Sequence, residues 1–271
     1  MRHRPTAYLW LGMLISTTLA APTAVGGRAS VAYEKRWVAG LPVHVVTVDL
    51  NDLDVRLSPV VPLRGIGRSE SWARMINRAR PTAAITGTFF DTRSLHPTGD
   101  IVVDGSVQCH GVTGTAIGIG WNNEVTFIPM KRGEIGNWSA FQHVIVAGPT
   151  LISEGRAAVY PKDQGFRDSR LFARRRRTAV GITRGNKLLM VAVTRRVYLS
   201  RLAKVMRALG AVEAAALDGG GSTALYCRGR TIVKPARSLT NLLVAYDDQS
   251  RHEEVRHLLA PDTARWSRKP D

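Results

Sequence analysis

Short apolar, β-branched runs closed off by turn residues recur along most of this chain, and that rhythm confines it to a sheet-rich fold. Val43–Val48, Ala83–Thr86, Ile101–Val103, Thr115–Ile119, Val144–Ala147, Thr178–Ile182, Leu188–Val193 and Leu242–Tyr246 read as strands. Asp104-Gly105 before Val107, Asn122-Asn123 before a further strand at Glu124–Ile128, and Arg184-Gly185-Asn186 between Thr178–Ile182 and Leu188–Val193 predict hairpins. Asn51-Asp52 predicts another, between Val43–Val48 and Val55–Leu57. Only two stretches carry helical spacing. In Ser69–Arg80, Trp72, Met75, Ile76 and Ala79 share a face, Ser69 or Ser71 can cap the start and Pro81 stops the run. In Ser200–Leu209, Leu202, Val205, Met206 and Leu209 do the same, with Ser200 as cap and Gly210 as end. The expectation is an α+β domain: a mixed or antiparallel sheet core with a few helices packed on it. At 271 residues and 44% hydrophobic, one sizeable core suffices, expected over 31–248, with 249–271 a peripheral charged tail.

The N-terminus reads as a targeting segment. Arg2 and Arg4 precede the apolar run Tyr8–Ala21, which is short beside the roughly 20 residues of a membrane span. Small residues follow, and cleavage between Ala20 and Gly27 is expected, giving a signal peptide over 1–26; an uncleaved anchor is the alternative. Export implies a periplasmic or secreted protein, with no stable membrane span after processing. The formal net charge of +17 draws the chain toward polyanions. Outside the cytosol these are phosphate-bearing polysaccharides, lipid headgroups and wall polymers. Nucleic acid is not expected, because basic residues are not interleaved with aromatics. Cys109 and Cys227 are the two cysteines, and whether they pair stays open at this stage.

Chemistry concentrates at Leu217-Asp218-Gly219-Gly220-Gly221-Ser222-Thr223. Three consecutive glycines are costly in a regular element and are kept where the backbone bends or lies against a ligand. Successive N–H groups there can form an anion-binding nest. Asp218 can act as acid, base or ligand, and Ser222 and Thr223 can donate to phosphate oxygens. The segment is neither a phosphate loop, which needs a lysine, nor a nucleophile elbow, since Ala224 stands where glycine is required. A second segment, Thr86-Gly87-Thr88-Phe89-Phe90-Asp91, ends a strand with two aromatics that can wall a sugar site and a carboxylate beside them. In a third, Arg174–Arg177, the outer three arginines suit the surface or polyanion steering. Arg177 abuts a strand and offers a planar fork for phosphate. No cofactor is required by these residues. A divalent cation on Asp91, Asp100 or Asp218 is the open alternative.

These segments occur in a set order. Gly-x-Phe-Phe-Asp (Gly87–Asp91) is followed by Gly-x-x-Val-x-Asp-Gly (Gly99–Gly105), Ala-Gly-Pro-x-Leu (Ala147–Leu151), Arg-Thr-Ala-x-Gly (Arg177–Gly181) and Leu-Asp-Gly-Gly-Gly-Ser-Thr (Leu217–Thr223). The set resembles the phosphodiester glycosidase family, typified by N-acetylglucosamine-1-phosphodiester α-N-acetylglucosaminidase. The likeness spans Val43 to Tyr246. It implies an α+β catalytic domain that hydrolyses sugar 1-phosphodiesters at the glycosidic side, releasing a phosphomonoester and free sugar. Asp218, Asp91 and Arg177 are then the expected catalytic residues. Thr86, Gly87, Phe90, Gly219, Gly220, Gly221, Ser222 and Thr223 are expected to bind substrate. Many members carry Asn-Gly-Gly where this chain has Thr86-Gly87-Thr88, a change that bears on sugar identity. The rival reading is a non-catalytic binder of anionic polysaccharide.

Overall fold

The computed structural model describes residues 29–111 and 113–261, and the signal-peptide reading of 1–26 lies outside them. In chain order the strands are β1 (Val31–Val38), β2 (Leu41–Asp49), β3 (Arg56–Val60), β4 (Ala83–Thr86), β5 (Ile101–Val103), β6 (Ser106–Cys109), β7 (Gly114–Gly120), β8 (Val125–Met130), β9 (Phe141–Val146), β10 (Thr150–Ser153), β11 (Arg156–Ala157), β12 (Arg175–Thr183), β13 (Lys187–Val197), β14 (Ala211–Leu217), β15 (Leu225–Cys227), β16 (Arg230–Val233) and β17 (Leu242–Tyr246). The α-helices are α1 (Trp72–Ala79), α2 (Ser169–Phe172), α3 (Leu199–Ala208) and α4 (Gln249–Val255). The architecture is the expected α+β domain of antiparallel sheets.

Three sheets share one interior. The largest runs β1-β2-β13-β12-β14-β10-β11, the second β16-β15-β4-β17-β3 and the third β6-β5-β9-β7-β8. Alternation along the strands assigns each face. Val46, Val48, Val180, Met190 and Leu217 of the first sheet meet Ile85, Leu225 and Leu243 of the second and Ile117 and Ile145 of the third in the central core. The opposite face of the first sheet, with Val45, Val191 and Ala214, is covered by Leu202, Val205 and Met206 of α3. The opposite face of the second sheet, with Val244 and Tyr246, is covered by Trp72, Met75 and Ile76 of α1. Among the described residues no helix is long and apolar enough to cross a membrane.

Local chemistry explains most elements and corrects several expectations. Ser71 caps α1, its hydroxyl accepting from the N–H of Arg74 at 3.3 Å. Ser200 does not cap α3: the cap position is Tyr198, without a side-chain bond, and Ser200 lies inside the helix. Val43–Val48 and Val55–Leu57 do not form a hairpin. β2 pairs with β1 and β13, whereas β3 pairs with β17 in another sheet. Leu50 and Val55 are buried in the central core, so the intervening turn carries the chain between sheets. The true hairpin lies upstream, where Ala39 and Gly40 both take positive φ, the mirror-image turn that matches strand twist. Asp104 and Gly105 do the same in the expected β5–β6 hairpin.

The start of the tail is not peripheral. Val255 and Leu259 enter the core beneath the second sheet, and Arg256 pairs with Asp104. Here α4 buries His252 against His143, ring centroids 6.1 Å apart. His143 Nδ1 accepts from the N–H of Asp104 at 3.0 Å, while its Nε2 and both ring nitrogens of His252 have no hydrogen-bond partner among the described residues. Burial lowers both pKa values, that of His143 to about 3. Cys109 and Cys227 are both free and buried, in different clusters, which answers the pairing question.

Because the unfolded histidines bind protons that the folded ones refuse, stability rises with pH across this window. It is complete above the unfolded value of about 6.5 and lost as pH falls below it. For His143 the loss reaches roughly 2–3 kcal/mol by pH 4.5, at about 1.4 kcal/mol per pKa unit. Thermal melting followed from pH 7.5 to 4.5 is expected to show this fall, and His252→Phe to flatten it; an unchanged acid limb in that variant refutes the assignment.

Candidate active site

The two glycine-bearing turns meet although their strands belong to different sheets. The N–H of Asp218, one residue past β14, donates to the carbonyl of Gly87, one residue past β4, at 3.0 Å. Thr178 Oγ1 of β12 holds the Asp218 carbonyl. Gly87 has no room for a side chain: a Cβ there would overlap Asn241 Oδ1, which accepts from the N–H of Thr88 at 2.6 Å.

The glycine run then separates by physical role. Gly219 passes so close to β12 that a Cβ would stand 2.5 Å from the Arg176 carbonyl oxygen. Gly220 takes a φ of +58°, which favours glycine. Gly221 needs neither exemption, since its nearest neighbours lie at 3.9 Å, on Arg237. The N–H of Gly219 donates to Asp218 Oδ1 at 2.9 Å, and those of Ser222 and Thr223 bond within the turn. Among the described residues, the N–H groups of Gly220 and Gly221 are left without an acceptor. The expected nest of three glycine amides is therefore two.

These turns border a cavity of about 480 Å³, within the usual range for a small-molecule site. Asp218, Gly219, Gly220, Gly221, Phe90 and Arg177 line it. Asp218 is 7% exposed, and burial raises its pKa against the opposing pull of the Ser222 hydroxyl, Arg237 and the Gly219 N–H. Arg237 is the residue that sequence reasoning missed. Its Nη2 lies 3.3 Å from Asp218 Oδ2, its Nε donates to Ser222 Oγ at 2.8 Å, and its guanidinium sits 4.5 Å from the Phe90 ring centroid. The N–H of Ala236 bonds the Gly221 carbonyl at 2.8 Å and pins the Arg237 loop onto the glycine run. Nothing in the spacing of Arg237 marks it.

The other expected site residues divide between the cavity wall and its surroundings. Arg177 borders the cavity, but its guanidinium is occupied by carbonyls: Nη2 donates to Leu171 and Ala173 at 2.7 and 2.6 Å, and Nε to Val197 at 3.2 Å. Through these bonds it fastens α2, which forms a wall of the cavity. Burial lowers its pKa to about 10, so it stays charged at neutral pH. Asp91 does not line the cavity. Its carboxylate turns back into its own loop, and the N–H and hydroxyl of Ser94 with the N–H of Arg93 hold it below the usual range. Thr86 and Gly87 lie behind the cavity, in the strand-end packing. Ser222 is fully buried and reaches the site only through Arg237 and Asp218. Thr223 is fully buried, its hydroxyl without a partner among the described residues. Asp168 does line the cavity and is engaged by Arg170.

Of the aspartates offered for a divalent cation, Asp91 serves its own loop and Asp218 pairs with Arg237. Asp100 is buried, with one oxygen on the Trp138 indole N–H and the other on the Gly111 N–H, each at 2.6 Å. Among the described residues no group of three His, Cys, Asp or Glu side chains converges.

A buried carboxylate, a guanidinium stacked on an aromatic ring and two glycine amides without acceptors among the described residues share one cavity of an α+β domain. The chain belongs to the phosphodiester glycosidase family (NAGPA), whose family model matches residues 79–246. A hypothetical protein from Synechocystis shares the fold, with a TM-score of 0.72 and 17% identity over 80% of this chain; the match spans 62% of that protein. The zebrafish N-acetylglucosamine-1-phosphodiester alpha-N-acetylglucosaminidase catalytic domain, auto-inhibited by its pro-peptide, gives 0.63 and 18% over 80% of this chain and 82% of that one. No curated protein matches the sequence.

The two arginines are separable by substitution. Arg177→Leu orphans three carbonyls and is expected to destabilise by roughly 2–4 kcal/mol in chemical denaturation. Arg237→Leu is expected to change stability by less than about 1 kcal/mol, its pair being partly solvated. Equal losses overturn this division. Likewise Gly219→Ala and Gly220→Ala are expected to lower the melting temperature, and Gly221→Ala to leave it in place.

Proposed function

We propose that this chain is an exported hydrolase that cleaves the glycosidic bond of sugar 1-phosphodiesters, in the periplasm or outside the cell, on exopolysaccharide or wall-type glycans. The observation that carries the reading is Asp218, buried at the cavity wall between Arg237 and the free N–H groups of Gly220 and Gly221. Family membership supports the reaction class. Export rests on the N-terminal sequence alone.

The chemistry suits what the cavity offers. Breaking the bond between the anomeric carbon and the phosphate oxygen builds positive charge on the sugar ring and leaves a phosphomonoester. That leaving group is already acidic and departs without a proton donor, so one carboxylate can serve where two are usual. In this reading Arg237 and the two amides bind the phosphate, stabilising the charge that grows on it. Water adds to the anomeric carbon, and its proton passes to Asp218 or to the medium. Asp218 acts ionised, facing the ring as base or as charge stabiliser. Phe90, held under Arg237, supplies an apolar wall for the sugar.

The test is incubation with UDP-GlcNAc and related sugar phosphodiesters in ¹⁸O-enriched water, with products identified by mass. The label is expected in the free sugar; label in the phosphate, or binding without product, rejects the proposal. Asp218→Asn is expected to cost at least about a hundredfold in kcat, within the range seen for general acid–base groups, while the protein stays folded. Because burial raises the Asp218 pKa, activity is expected to rise with pH through a midpoint above that of an ordinary aspartate. Arg237→Met, which removes the opposing cation, moves that midpoint higher still.

A further inference from the structure

Building on the phosphodiester reading, we infer that the cavity takes a substrate bearing a second phosphate beyond the scissile one, held at the mouth by Arg132, Arg167 and Arg175.

The charge inventory of the cavity points there. Six arginines border it, against two carboxylates, Asp168 and Asp218. Both carboxylates already have a guanidinium: Asp168 has Arg170 at 2.6 Å, and Asp218 has Arg237 at 3.3 Å. Arg177 is taken by carbonyls. Arg132, Arg167 and Arg175 remain. All three are exposed, and among the described residues none of their guanidiniums makes a hydrogen bond or ion pair. They come from separate segments, after β8, before α2 and at the start of β12. Two of them are held in place. The Arg132 stem packs against Gly165, where a Cβ would stand 2.6 Å from its own Cβ. Arg175 is fixed by its strand pairing with Val197.

Gathering cations is unfavourable: the charge of Arg175 weighs on Arg177, and the carboxylate that offsets it, Asp168, is already paired with Arg170. Arg237 and two amides suffice for one phosphodiester. An uncharged aglycone would leave three guanidiniums facing it without function. A second phosphate would satisfy them, because the planar fork matches phosphate oxygens and such charge-assisted bonds are the strong ones. Two sources share this chemistry: a nucleoside diphosphate sugar, with the phosphates adjacent, and a glycan of repeating sugar-phosphate units, with the next phosphate one sugar away.

The experiment compares kcat/KM on methyl N-acetylglucosamine 1-phosphate, UDP-GlcNAc and a short oligomer of sugar 1-phosphates. It uses the wild type and an R132S/R167S/R175S variant. The wild type is expected to prefer a doubly charged substrate by roughly tenfold or more, the size of one charge-assisted hydrogen bond. The variant is expected to lose most of that preference while losing far less on the methyl ester. Whichever of UDP-GlcNAc and the oligomer shows the larger drop identifies the source. A wild type without preference, or a preference that survives in the variant, overturns the inference. A separate readout does not depend on turnover: calorimetric binding of inorganic pyrophosphate and inorganic phosphate to Asp218→Asn, with and without the three serines. Pyrophosphate is expected to bind about tenfold more tightly only where the arginines are present. If no substrate is cleaved yet this ratio holds, the reaction assignment falls and the second phosphate site stands. An equal ratio in both proteins removes the site.

Discussion

The hydrogen bond from the Asp218 N–H to the Gly87 carbonyl fastens the end of one sheet to the end of another. Asp218 and the glycine run of the cavity wall start from that junction. It fixes the aspartate backbone, and the Thr178 hydroxyl fixes the carbonyl of the same residue. The carboxylate is left with little freedom, in a place where burial raises its pKa. Close approach has a steric condition. Gly87 and Gly219 stand where a side chain would strike Asn241 and Arg176, so two glycines of the sequence pattern serve contact between strands rather than contact with ligand.

The arginines divide according to exposure. Arg177, 3% exposed, is surrounded by carbonyls and acts as a strut for α2. Arg237, part exposed and lying over Phe90, is free to exchange some of its contact with Asp218 for a ligand oxygen. The Arg177 guanidinium gives its Nε and Nη2 hydrogens to main-chain carbonyls and is held in place for structural reasons. One that shares a single long contact with a carboxylate keeps its charge available. Sequence position marks Arg177, because it abuts a recognisable strand; the structure places it in the Asp218 cavity and gives much of its guanidinium to main-chain carbonyls.

What was legible in the sequence follows from locality. Glycine or Asn/Asp turns flanked by β-branched runs marked the hairpins of β5–β6, β7–β8 and β12–β13, since the turn residues and their strands are neighbours in the chain. The helical spacing of Trp72, Met75, Ile76 and Ala79 marked α1 for the same reason. The pairing of β2 was misread because Asn51-Asp52 is good turn chemistry whether the chain folds back or crosses between sheets. Asp218 and the glycine run stood out, but the partners that give them meaning did not. Arg237 and Asn241 arrive from a loop and a strand entry with no periodic signal. In the sequence Asp91 closes an apolar run as Asp218 does, but β4 stops at Thr86, and the hydrogen bonds from Arg93 and Ser94 show that its carboxylate faces its own loop.

The two cysteines carry a practical corollary. Both thiols are free and buried, and burial pushes that of Cys109 up to about 11, so neither forms a thiolate readily at neutral pH. No cross-link staples the described domain; three sheets around a shared interior hold it. A reducing compartment should therefore serve as well as an oxidising one for making this domain, and thiol-directed labels can be introduced at new surface positions with little competition from the native pair.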